Sequence, residues 1–536
     1  MNPERPPSPA FALVRRELLV LARNPRLFGL MAGMTTVLAL AALTSLSFTS
    51  LRNGQMAGFA RSIFGTQFFL LYAAALIVVP AMAAAAIIHE RKQDCYPLLL
   101  TTLIPPGWIV WSKLIALMGL YAGLYAGVLP FTGIIYFFAG VEPLALIQGI
   151  IVCFSLALGT TSIGLLASAS ARDHSRAIYH TGLGVLCMLL LPWAARVFLE
   201  ALGIPRMDWL QSVGPFNAYA VVRSGLPDWR PPLAFAMYQG CVACFCVVLT
   251  RHYVVPRRGD YGQRLPANML DRLRWRPAYR FIPIADTQNP VAAKDYRASD
   301  FSRGLGPWLL VALGLATGSF GYSITHTFPQ QFAPLIEFYL LIVILPAVVS
   351  SLVLREHQDN MIGSLGVTLL TAKEITRGKV TAALRILRML VWGFVLGRVL
   401  AYGGITLWGL IEGGPGGPLS AINPAPLLLS LAELFICLWV IPRFALAGAL
   451  ASSSPLAVVF SSYAFILISW AIVSTLSAIV TAFMMMGSFG DPMDGYEIVF
   501  LLGQKTVKYF FLIVAARIAM ESATTKLASK LISGWK

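Results

Sequence analysis

The sequence predicts an all-α polytopic membrane protein: about twelve transmembrane helices forming two parallel pseudo-repeats of six, with further helices at the membrane surface. Three observations point there. Of 536 residues, 57% are hydrophobic and only 12% charged, a balance suited to lipid rather than water. Uncharged runs long enough to cross ~30 Å of hydrocarbon recur along the whole chain. A polar insert occurs twice: Glu90–Lys113 (ERKQDCYPLLLTTLIPPGWIVWSK) falls without a gap on Glu356–Lys379 (EHQDNMIGSLGVTLLTAKEITRGK) after a shift of 266 residues. The two match at Glu90/Glu356, Leu99/Leu365, Thr102/Thr368, Leu103/Leu369, Ile109/Ile375 and Lys113/Lys379.

In chain order, Phe11–Phe28 mixes Leu, Val and Phe with Arg15, Arg16, Glu17, Arg23 and Arg26. It is too charged to span and apolar on one side, so it lies in the interface. Spans follow at Leu27–Leu51, Ser62–Ile88, Leu114–Val141, Pro143–Ala171, Ala177–Ala195 and Pro231–Thr250. Between the last two, Glu200–Arg230 carries Pro205, Pro215 and Pro227 around a semi-apolar core, Trp209–Val222. Residues 1–250 make the first six-helix unit and 251–288 a cytoplasmic linker rich in arginine, including Arg257, Arg258 and Arg264. The second unit, 289–536, opens with Asn289–Arg297, whose Lys294-Asp295 echoes Arg16-Glu17 and marks a second interfacial helix. Its spans are Gly304–Thr325, Phe332–Leu354, Val380–Ile411, Pro426–Ser452, Leu456–Met486 and Ile498–Met520, with Glu497–Lys505 read either as part of the last or as a separate external segment.

The net charge is +17, and the arginine-rich linker, the inserts, Arg172-Asp173-His174-Ser175-Arg176 and a tail with Lys526, Lys530 and Lys536 all fall on one side of the membrane. The positive-inside rule then puts these segments and both termini in the cytoplasm, in a plasma (inner) membrane. Cationic loops facing an anionic leaflet account for the charge without a nucleic-acid partner. No small-residue cleavage site follows the first apolar run, so the first helix is expected to stay in place. An even number of spans per copy gives both copies one orientation, related by an axis along the membrane normal.

Seven cysteines lie mainly in apolar runs and form no disulfide framework. Cys241, Cys244 and Cys246 sit mid-span without a histidine or a balancing charge, so no metal site is expected. No nucleophile–base triad or paired catalytic acids stand out, and the chain is not read as an enzyme. A phosphate loop is also missing: Gly503-Gln504-Lys505-Thr506 lacks the upstream glycine, so any ATP is bound by a partner chain. Several spans of the second copy carry charge: Arg398, Glu433 and Arg443 each need a partner or water, and Lys505 and Lys508 interrupt the last. Glu433 pairing with Arg398 is one reading and a snorkelling Arg443 another. With Glu433 as a proton site, the chain would be an ion-coupled secondary transporter.

The inserts resemble those of ABC-2 type (type V-like) ABC exporter permeases. The likeness rests on an acidic-basic pair closing one helix (Glu90-Arg91, Glu356-His357), then a Leu- and Thr-rich run. That run is Leu98, Leu99, Thr102 and Leu103 in the first copy and Leu365, Thr368 and Leu369 in the second. A break and a lysine opening the next helix, Lys113 or Lys379, complete the pattern. The family's Gly-Thr-Leu run is replaced by Asp94-Cys95-Tyr96 and Asn360-Met361-Ile362. The resemblance implies that the inserts are coupling helices docking on two copies of a separate ABC ATPase. Mg-ATP would sit on that partner and no cofactor on this chain. The exported substrate would be an amphipathic small molecule, lipid or peptide, and Glu200–Arg230 would hold short re-entrant helices.

Orientation is tested at Cys95. In a variant keeping only this cysteine, an impermeant thiol reagent should leave intact cells unlabelled and react once the membrane is opened. Labelling from outside would reverse the topology.

Overall fold

In hydrocarbon every backbone N–H and C=O must find its partner within the segment, so long apolar runs fold as helices. Nearly all described residues are helical and none is in a strand. The structure, a computed structural model, describes residues 9–23, 31–39, 56–92, 105–137, 141–171, 174–201, 213–224, 228–254, 289–298, 370–412, 425–451 and 496–533, with scattered positions between them. The interiors of both inserts, most of the linker, and most of the predicted first, seventh, eighth and eleventh spans lie outside the described residues.

The helices are α1 (Pro9–Ala22), α2 (Met56–Ala73), a π-helical segment Ala74–Val78, α3 (Val79–Lys92), α4 (Pro106–Phe137), α5 (Pro143–Ser170), α6 (His174–Ala201), α7 (Pro215–Ser224), α8 (Arg230–Val254), α9 (Pro290–Ala298), α10 (Ala372–Glu412), α11 (Ala425–Leu450) and α12 (Tyr496–Ser533). Among the described residues, six helices are long and apolar enough to cross a membrane: Ile63–Ile88, Gly107–Phe137, Pro143–Ser170, Arg230–Val254, Ala372–Gly403 and Leu431–Leu450. The chain is thus an all-α protein with the helices of a membrane-embedded one. The two predicted interfacial segments are helices, α1 and α9.

Two helix starts differ from the sequence expectation, and of the two readings of Glu497–Lys505 one holds. Helices α4 and α10 begin about two turns before the predicted Leu114 and Val380. The lysines taken as boundaries, Lys113 and Lys379, are buried within them, their charge balanced by acids described below. Glu497–Lys505 is continuous with the last helix, since α12 runs unbroken for 38 residues.

Contacts divide the chain into two compact units, Met1–Tyr261 with Val459–Phe511 and Gly262–Val458 with Leu512–Lys536. In the first, α5 is the central element, packed by α2, α3, α4, α6, α7 and α8. Its small residues permit this. A Cβ on Gly164 would lie 2.6 Å from the Ala83 Cβ and 2.8 Å from the Pro80 carbonyl, so α3 and α5 touch backbone to backbone. Gly159 leaves space for the Gln239 side chain of α8, which is fully buried. Helix α7, inside the predicted external segment, packs through Tyr219, whose ring lies 5.0 Å from Phe68 and 5.1 Å from Tyr72. Tyr72 Oη donates to the Pro215 carbonyl (3.1 Å), so this segment holds a docked helix rather than a plain loop.

The π-helical segment has a specific cause. Val79 N–H bonds the Ala74 carbonyl, five residues back. The next donor in that pattern would be residue 80, but proline has no N–H, which leaves the Ala75 carbonyl without a backbone partner. Thr160 Oγ1 of α5 supplies one at 2.8 Å, the shortest of its three approaches to carbonyls and so the natural place for its single proton. Tyr121 Oη of α4 similarly caps the Leu71 carbonyl at 3.0 Å.

In the second unit α10 packs on α9 and α11. Gly393 of α10 lies against Gly314: a Cβ on Gly393 would come 3.0 Å from the Gly314 Cα.

Replacing Thr160 by Val removes the donor to Ala75 while keeping the shape, and an orphaned buried carbonyl costs about 1–3 kcal/mol. Thermal unfolding in detergent should show a loss for T160V that shrinks in a P80A background, where residue 80 regains its N–H. Equal losses in both backgrounds would mean the Ala75 carbonyl is not the reason.

Candidate functional site

The two lysines that close the inserts organise the charged chemistry of each unit. Lys113 lies in the second turn of α4 with 5% of its side chain exposed. Its Nζ is 2.8 Å from Glu90 Oε1 and 3.8 Å from Glu17 Oε2. Glu90 stands near the end of α3 and Glu17 in the middle of α1, so one ammonium joins three helices. It also ties the two ends of the insert together. Helix α1 reaches this place because Gly119 of α4 has no side chain, for a Cβ there would lie 2.7 Å from Leu18 Cδ2. Two carboxylates meet one ammonium, and the second Glu90 oxygen, Oε2, is buried without a hydrogen-bond partner.

Lys379 holds the matching place in the second unit and is still more buried, at 1%. Its Nζ lies 3.5 Å from Asp295 Oδ2 and 3.4 Å from the Leu352 carbonyl. Asp295 is carried by α9, whose start is fixed by its own sequence. Asn289 caps the helix by accepting from Val291 N–H (3.0 Å) and Ala292 N–H (3.3 Å), and Pro290 takes the first helical position. Asn289 Nδ2 then donates to the Glu374 carbonyl at 2.9 Å, tying α9 to the first turn of α10. Gly378 admits this approach, since a Cβ there would meet Asn289 Oδ1 at 2.7 Å. The α10 start carries a capping box: Thr371 N–H and Oγ1 both donate to Glu374 Oε2 at 2.8 Å, and Glu374 N–H returns to Thr371 Oγ1 at 3.3 Å.

Around these lysines the two helices share a burial pattern. Every buried residue of α4 from Ile109 to Val128 has a buried counterpart in α10 266 positions later, from Ile375 to Phe394. Leu120, Tyr121 and Leu124, for example, answer to Ile386, Leu387 and Leu390.

Of the residues singled out in the sequence, the structure therefore brings Glu90 and Lys113 together and buries Lys379. For Arg91 only the backbone is described. Leu98, Leu99, Thr102, Leu103, Glu356, His357, Leu365, Thr368 and Leu369 lie outside the described residues. Sequence reasoning missed Glu17 and Asp295 as partners of the lysines. The signal was present in the echo of Arg16-Glu17 by Lys294-Asp295, which matched the two acids without connecting them to the inserts.

The intramembrane charges fall on two helices that pack together. Arg398 on α10 is 4% exposed and Glu433 on α11 is half-buried. Arg443 folds back on its own helix: its guanidinium lies 3.8 Å over the Trp439 ring and Nη1 donates to the Trp439 carbonyl. Cys241 and Cys244 are exposed while Cys246 is buried, so the three do not share a face of α8. No family model, curated protein or solved structure matches the chain.

Breaking a buried ion pair by removing one partner costs about 3–5 kcal/mol because the other charge stays unpaired. Lys113→Met should therefore lower the unfolding temperature sharply, leaving Glu17 and Glu90 facing each other. The triple variant E17Q/E90Q/K113M should recover much of that loss. Equal destabilisation of the two would locate the effect in lost lysine packing instead.

Proposed function

We propose that the chain is the permease of an ATP-driven exporter of the ABC-2 kind. In this reading it has twelve spans in two parallel pseudo-repeats of six, fused in one chain, in an inner membrane with both termini in the cytoplasm. Two copies of a separate ATPase dock on the inserts, bind Mg-ATP and drive an amphipathic small molecule, lipid or peptide outward. This chain itself binds no nucleotide.

The observation that carries the reading is the clamp at Lys113. A coupling element works as a lever only if its two ends are fixed to the helices it must move. The 2.8 Å pair between Lys113 and Glu90 fixes both ends of the first insert, and Glu17 adds the interfacial helix to the same joint. Lys379 with Asp295 supports the same arrangement for the second insert. The shared burial pattern of α4 and α10 at the repeat spacing of the inserts supports two copies of one unit. The leucines between the clamped ends are suited to helix-in-groove recognition, with Leu98, Leu99 and Leu103 as anchors. ATP binding shifts the permease only by its differential affinity for the two states, so a rigid connection is what the coupling requires. Arg398 and Glu433 belong to this reading as a charge pair of the second unit, structural or substrate-facing.

The test uses the full chain co-purified with the separate ABC ATPase it is expected to recruit. The complex should hydrolyse ATP in response to substrate, while the chain alone should bind none. Replacing Leu99 or Leu365 by Asp places a charge in the docking groove, where an unpaired buried charge costs several kcal/mol and weakens association many-fold. Each variant should insert normally yet lose pull-down of the ATPase and transport, the two to unequal degrees because Pro105-Pro106 in one insert is Thr371-Ala372 in the other. Parental pull-down and transport in both variants would rule out the inserts as the docking surface.

A further inference from the structure

Helix α10 has 41 residues. At 1.5 Å per residue it is about 61 Å long, twice the ~30 Å of hydrocarbon it has to cross, so a third or more of it lies beyond the apolar layer. Its exposed face changes character along the way. Arg377, Thr381, Arg385 and Arg388 are exposed and recur at helical spacing on one side. The same stripe continues as Trp392, 63% exposed, and then Leu396 and Val399. An exposed Trp between a charged and an apolar stretch marks the headgroup level of a membrane helix. Arg388 lies one turn before that Trp and Arg385 two turns before it, within the layer of lipid phosphates.

Packing does not account for these arginines. On α4 the buried positions match those of α10, but the residues corresponding to Arg377, Arg385 and Arg388 are Trp111, Gly119 and Ala122. The shared helix is therefore built without charge on this side. Arg385 and Arg388 also make no hydrogen bond or ion pair with any described residue.

We propose that Arg385 and Arg388 bind the phosphate of an anionic phospholipid in the leaflet facing the start of α10. Residues three apart on a helix have Cβ atoms about 5–6 Å apart, which lets two guanidinium groups converge on one phosphate. Each guanidinium presents paired N–H donors that match phosphate oxygens. Two adjacent positive charges, with Arg377 two turns further out, favour a net-negative headgroup over a zwitterionic one. This inference needs only the helix and its bilayer, not the transport reading.

Native mass spectrometry of the purified full chain, titrated with phosphatidylglycerol or phosphatidylcholine, tests it. The parent should retain phosphatidylglycerol at roughly tenfold lower lipid concentration than phosphatidylcholine, a preference equivalent to about 1.4 kcal/mol. R385Q/R388Q should lose this preference with phosphatidylcholine binding unchanged, and R385K/R388K, which keeps the charge without the forked geometry, should fall between. No preference in the parent overturns the proposal without any variant. Equal phosphatidylglycerol binding by parent and R385Q/R388Q overturns it too, as does displacement of the lipid by water-soluble glycerol phosphate, which would make this a free-anion site.

Discussion

An ammonium group taken out of water must meet opposite charge at short range, and that requirement arranges the insert-bearing end of each unit. In the first, Lys113 draws Glu90 from the end of α3 and Glu17 from α1; in the second, Lys379 draws Asp295 from α9. The helices carrying these acids differ in length and in how they are seated. Helix α1 is a long amphipathic element set against Gly119, whereas α9 is a short capped helix set against Gly378. What recurs is the charge geometry, with a glycine on the lysine's own helix making way for the helix that brings the acid.

Away from these joints the first unit relies on closeness rather than charge. Helix α5 replaces bulky side chains with Gly159, Gly164 and hydroxyl-bearing residues, because apolar side chains gain nothing from one another that lipid would not also provide. The hydroxyls then complete backbone groups on neighbours. Thr160 serves the Ala75 carbonyl, and Ser168 Oγ accepts from Ile87 and Ile88 N–H at 3.0 and 3.2 Å. Each such bond fixes the height of α5 against the α2–α3 span as well as its distance.

Much of this was legible in the chain. Apolar length located the six long helices, because a span needs a fixed number of residues and tolerates few charges. The echo of Arg16-Glu17 by Lys294-Asp295 located α9, which Asn289-Pro290 then begins by cap and first-turn chemistry. The starts of α4 and α10 were misread for an equally physical reason: Lys113 and Lys379 look like boundaries until an acid distant in sequence cancels them. Pairing across 23 residues to Glu90, or 84 to Asp295, leaves no local trace. Nor does the π-helical segment, whose Ala-Ala-Leu-Ile-Val reads as ordinary helix; only Pro80 hinted at it.

The π-helical segment also acts as a phase shifter. A turn of this kind holds one residue more than an α-helical turn, so everything after Val78 is rotated by about 100° relative to an uninterrupted helix. Before it, Phe68 and Tyr72 face α7; after it, Ile87 and Ile88 face α5 and Glu90 faces Lys113. Angular phase, more than length, therefore decides whether the insert is clamped: a span one residue shorter at this point would still cross the bilayer, yet would aim Glu90 a quarter-turn away from its lysine.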